Sequence, residues 1–136
     1  MQALVWLGPL VAAAGTIAFF VALIRVRLMA AADKRWAAAS GQPFFSEYGE
    51  AIVGRRHLRK PFAHLTATPS ALRLAARGND YEFPRGTMKI GPGSAWWVGL
   101  DIQHGNPAYP SPVLFVSLDI ENVRNELEKL GYVCER

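Results

Sequence analysis

The sequence predicts an α+β protein: an N-terminal transmembrane helix, then a curved antiparallel sheet or barrel capped by one C-terminal helix. Three observations predict it. No charged side chain occurs from Met1 to Ile24. After Lys60 apolar residues alternate with the period of strands. Near the C-terminus Ile120, Val123, Leu127 and Leu130 stand three or four apart, as on one face of a helix. The expected organisation is a transmembrane helix at 3–24, a basic juxtamembrane helix and linker at 25–50, and a soluble domain at 51–136.

The chain has 136 residues, 51% of them hydrophobic, with 15 Lys and Arg against 11 Asp and Glu. That apolar content and a net charge of only +4 exclude a disordered chain. A single cysteine, Cys134, excludes a disulfide framework. The apolar run Ala3–Ile24 has 22 residues. As a helix it spans about 33 Å, against a hydrocarbon core of about 30 Å. No basic residue precedes it and it is too long for a signal peptide, so it reads as a retained anchor. Arg25, Arg27, Lys34 and Arg35 follow, opposed only by Asp33. Positive flanks stay on the cytoplasmic side, so the N-terminus is expected outside and the rest of the chain in the cytoplasm. Ala14, Ala18 and Ala22 form a small-residue stripe that permits close helix packing, which gives a weak case for a homo-oligomer.

Residues 25–60 hold eight basic and three acidic side chains, whereas residues 61–136 hold seven and eight. The basic excess therefore belongs to the stretch beside the membrane, where it suits positive-inside topology and attraction to anionic lipid. No nucleic-acid-binding signature accompanies it, and no nucleic-acid partner is expected. Helix is expected to continue through Ala39, until Ser40-Gly41-Gln42-Pro43 breaks it. The aromatic residues Phe44, Phe45 and Tyr48 come next.

Phe62–Thr68 reads as a strand with Ala63, Leu65 and Ala67 on one face. Pro69-Ser70 turns the chain into a second strand with Leu72 and Leu74 inward and Arg73 outward. Gly78-Asn79-Asp80 is a turn, and Tyr81–Phe83 a short strand stopped by Pro84. Thr87–Ile90 is another, stopped by Gly91-Pro92-Gly93. Ser94–His104 is the longest expected strand, with Trp96, Val98, Leu100 and Ile102 inward and Trp97 outward. A proline-rich loop at 105–112 leads to the strand Val113–Ser117. Asp119 is the expected N-cap of the final helix, and Gly131 the residue just past its end.

The run Leu65–Leu74 resembles the first hairpin of bacterial pleckstrin-homology-like (PH-like) domains. Phe83-Pro84 through Ile90 is similar to the short strand and turn that follow there, and Ser111–Ser117 to the last strand before the capping helix. The resemblance covers about residues 55–136. It implies a seven-stranded fold tethered to the membrane, with Ala51–Leu58 needed to supply a strand.

Catalytic and metal constellations are missing from the pattern. His57, His64 and His104 stand at no metal-ligand spacing, and Cys134 has no base near it in sequence. No enzyme activity, metal or cofactor is expected. Two binding readings stand. The first is a tethered module for protein–protein interaction or scaffolding at the cytoplasmic membrane face, anchored by Trp97 and by Tyr109 of the proline loop. The second, implied by the headgroup-binding members of the resembled family, is recognition of anionic lipid by Arg55, Arg56, Arg59, Lys60 and Arg73. Salt separates them, because screening weakens the second alone.

Overall fold

The computed structural model describes residues 2–76, 78–93 and 99–135, with side chains from residue 8 onward. Helix α1 runs from Gln2 to Ala39. Seven described strands follow: β1 Phe45–Val53, β2 Arg56–Ala67, β3 Ala71–Ala76, β4 Asn79–Pro84, β5 Met88–Pro92, β6 Gly99–His104 and β7 Val113–Val116. Helix α2, Ile120–Lys129, comes last. The strands pair antiparallel in one sheet of order β4-β3-β2-β1-β7-β6-β5. Because β7 returns to lie beside β1, the sheet curls into a nearly closed barrel with β4 and β5 at its ends. The α+β class is the one the sequence predicts.

The period-two residues line the inside. Ala63, Leu65 and Ala67 of β2, Leu72 and Leu74 of β3, and Leu100 and Ile102 of β6 are all buried. The stripe Ile120, Val123 and Leu127 of α2 joins that core and stops one end of the barrel. At the end of α2 the Gly131 N–H donates to the Glu128 carbonyl and the Tyr132 N–H to the Leu127 carbonyl. Gly131 has φ +97°, a backbone that glycine adopts without strain. The tail then bridges the barrel's open side. The Tyr132 hydroxyl donates to the Thr68 carbonyl at 2.6 Å, and the Glu135 N–H to the Ile90 carbonyl at 2.9 Å. Asp119 does stand at the N-cap position, but its side chain makes no capping hydrogen bond. Its φ of −114° and ψ of 53° depart from the extended geometry that aims a side chain at the first turn.

Two expectations need correction. The sheet begins at Phe45, so the linker placed at 25–50 shrinks to a few residues after Ala39 and the strand sought at 51–58 is longer. Phe45–Gly49 pair with Ala63–Ala67, while Glu50–Val53 pair with β7. Glu47, Gly49 and Glu50 hide this strand in the sequence, because they interrupt the apolar alternation. The juxtamembrane helix is also no free linker. Val26, Ala30, Asp33 and Ala37 form one buried face of α1 that lies on β2 and β3. β2 is consequently covered on both sides: His64 and Thr66 on its outer face are as buried as Leu65 on its inner one. Of the longest predicted strand, the part from Gly99 to His104 is observed; Trp96, Trp97 and Val98 lie outside the described residues.

Candidate functional site

The barrel end nearest the apolar half of α1 gathers four of the five basic residues singled out by the sequence. Arg55 and Arg56 are exposed where β1 turns into β2. Arg59 and Lys60 are exposed a few residues on, where the ladder is irregular. There β1 advances only from Gly49 to Ala51 while β2 covers Leu58 to Ala63. The surplus residues bulge out of the sheet, which frees the Arg59 and Lys60 side chains from the alternation. Phe62, in the same bulge, turns to α1 and meets the Phe19 ring edge-on, with centroids 5.7 Å apart.

Contacts along α1 fix which way the barrel points. Phe19 meets Phe62. Arg25 Nη1 lies 4.0 Å from where a Cβ on Gly78, in the β3–β4 turn, would stand. Lys34 lies 6.0 Å over the Tyr48 ring, and Trp36 stacks on the Arg73 guanidinium at 4.0 Å. Moving up α1 thus moves from the β1–β2 and β3–β4 turns toward the far end of the sheet. The proline loop belongs to the same near end, since the Gly54 N–H donates to the Pro112 carbonyl at 2.8 Å. A depression of about 350 Å³ opens among these turns, with Arg55, Arg56, Leu58, Asn79, Tyr81 and Pro110 in its wall. One acid of this end, Glu50, lies 3.1 Å from His57 Nε2.

Arg73 stands apart from this group. It does point out of the barrel, as predicted, but α1 covers that face. Its guanidinium lies 3.3 Å from Glu82 and 3.7 Å from Asp33 and stacks on Trp36. Those partners hold it against α1 and β4, away from the other four. Tyr109 is also turned inward. Its ring packs against Tyr81, Phe83 and His104, and its hydroxyl accepts from the Glu82 N–H at 3.2 Å. It folds the proline loop back onto β4 instead of presenting an anchor. Trp97 lies outside the described residues.

Sequence reasoning missed the polar layer between α1 and the sheet. Asp33 is fully buried and its ion pair is with Arg73; Asp80 is the acid beside it. His64 is fully buried, with Nδ1 at 3.2 Å from the Thr66 hydroxyl and Nε2 without a partner. Burial pushes the His64 imidazole down to about 4, and the charge of Lys34 acts in the same direction. One signal was present: Val26, Ala30, Asp33 and Ala37 share the spacing of one helix face, which marks a docked helix.

Among the described residues no group of three or more His, Cys, Asp or Glu side chains is placed to hold a metal. Ala18 and Ala22 of the small-residue stripe line a cleft facing the chain's own barrel. Comparison of the chain with protein-family models, with curated proteins and with solved structures gives no match. The apolar N-terminal helix and the nearly closed antiparallel sheet are compatible with a PH-like arrangement.

Proposed function

We propose that this chain is a single-pass membrane-anchored PH-like module, non-enzymatic, that holds its barrel against anionic lipid through Arg55, Arg56, Arg59 and Lys60. The observation that carries the reading is the Phe19–Phe62 contact. α1 is long and apolar enough to cross a membrane, and Leu10, Val11, Ile17, Phe20 and Ile24 are exposed along it. Phe19 comes five residues before the end of the apolar run at Ile24, or about 7 Å along a helix. One headgroup layer is about 5–8 Å thick. A barrel residue that touches Phe19 therefore reaches the hydrocarbon side of the headgroup boundary, and the bulge holding Phe62 also holds Arg59 and Lys60, which brings those two cations close to the headgroups. Each cation near an anionic surface contributes about 1 kcal/mol.

The cytoplasmic placement of the barrel rests on Arg25, Arg27, Lys34 and Arg35 after the span. PH-like kinship rests on the strand order, with the last strand beside the first, and on the C-terminal helix. The reading as a protein-interaction module comes second, because Tyr109 is committed to the barrel's own loop.

Hydrogen–deuterium exchange of the full-length chain tests the proposal, in lipid nanodiscs of phosphatidylcholine with and without phosphatidylglycerol. Amides of residues 54–62 are expected to exchange more slowly in the anionic discs. The slowing should fade at high salt and vanish when Arg55, Arg56, Arg59 and Lys60 are all replaced by Ala. Equal exchange in both kinds of disc at low salt would overturn the proposal.

A further inference from the structure

A second hollow lies on the other side of the β2 bulge, between α1 and the barrel. It encloses about 450 Å³, within the roughly 300–1,000 Å³ common for sites of small ligands. Its wall joins two unlike parts of the molecule. Ala18, Val21 and Ala22 come from the apolar run, and Leu58 and Phe62 from β2. Gly78, which has no side chain to fill the space, closes the barrel side, and among the described residues Arg25 is the one charged residue of the wall. Arg25 is exposed, and among the described residues no acid stands within ion-pairing distance of it.

We infer that this cleft holds one membrane phospholipid, with an acyl chain along the apolar wall and the phosphate on Arg25. The inference rests on the membrane-anchored reading above and adds a site distinct from the basic barrel end. Position names the occupant. Ala18 and Ala22 belong to the apolar run, so the fluid that fills a hollow beside them in a bilayer is lipid. Arg25 is the first charge after that run, at the level where phosphates lie, and a guanidinium binds phosphate with two parallel donors. On the bilayer side of Arg25 the wall is apolar, as an acyl chain requires, and Val26 and Met29 continue it on the other side. A second copy of the chain fits less well. Ala18 and Ala22, two of the three alanines that would let two helices approach, line the cleft toward this chain's own β2, and an unpaired arginine would be buried at such a seam.

Native mass spectrometry of the full-length protein, released from nanodiscs of phosphatidylcholine containing phosphatidylglycerol, tests the site. One phospholipid is expected to remain on each chain after the bulk lipid is stripped. Ala22→Trp fills the hollow and should abolish retention. Arg25→Gln lies on an exposed surface, leaves the fold intact, and should cut retention about tenfold, the equivalent of one charge-assisted hydrogen bond. Replacing Arg55, Arg56, Arg59 and Lys60 by Ala should leave it unchanged. A wild-type chain with no retained lipid overturns the inference, as does retention indifferent to both Ala22→Trp and Arg25→Gln. Retention lost only in the fourfold alanine variant also overturns it, and assigns the lipid to the barrel end, which leaves the preceding proposal standing. Exchange that ignores anionic lipid while one Arg25-dependent phospholipid is retained removes the preceding proposal's basic contact alone.

Discussion

His64 shows how one residue ties the chain's stability to pH. In the unfolded chain its imidazole takes up a proton near the ordinary value of 6.5, whereas in the fold it stays neutral down to about 4. Between those values the unfolded state binds more protons. The folded state's advantage is thus complete above pH 6.5 and shrinks as pH falls toward 4. The full loss is at most about 3 kcal/mol. Denaturant unfolding of the barrel in micelles, followed by near-ultraviolet circular dichroism from pH 7 to 4, measures it. Wild type should lose more stability over this range than His64→Gln, and the difference between the two removes the carboxylates they share; parallel curves would contradict the assignment. Nothing in Ala63-His64-Leu65 marks the histidine as buried, since an outward strand position ordinarily meets water. The five arginines and lysines teach the same lesson. Their charge was legible at once, but whether Arg73 meets lipid or Asp33 depends on a helix nearly forty residues away in sequence.

Among the elements, β1 carries the most structural demand, since it pairs with β2 on one side and β7 on the other. Gly49 sits where those neighbours come closest. A Cβ there would stand 2.6 Å from both the Phe115 ring and the Val116 carbonyl oxygen. Gly49→Ala must therefore push β1 off β7 and should cost about 1–3 kcal/mol, the usual penalty for overpacking. A shift in the urea midpoint at unchanged slope reads that loss; an unmoved midpoint would show that Phe115 yields freely. The glycine that makes β1 fit also conceals it. Strands β3, β4 and β7 and helix α2 were legible from period and turn residues, because each has one plain inward face. β1 was not, because close strand contact selects glycine where a pattern search looks for valine or leucine.

Across the full chain, α1 and the barrel form one structure. The C-terminal half of α1 covers His64, Thr66 and Ala75 on the outside of the sheet. A fragment that starts at residue 51 lacks α1 and most of β1. It should show no cooperative thermal transition by circular dichroism, whereas the full chain in micelles should. A cooperative transition in the fragment would mean that β2 and β7 can close the sheet without their shared neighbour. Binding studies on such a fragment would report on a broken barrel, so lipid contact has to be measured on the whole chain. Hydropathy and spacing along the chain suffice to show an apolar helix before a period-two sheet and a final amphipathic helix, with the basic excess confined to residues 25–60. These are local properties, carried by hydropathy, spacing and charge along a short stretch. Tertiary packing alone sets α1 against β2, turns Arg73 and Tyr109 to internal partners, and leaves four exposed cations at the barrel end nearest the apolar half of the helix. Each of those depends on which face of one element meets another distant in sequence, and a strand's own residues carry no record of what covers its outer side.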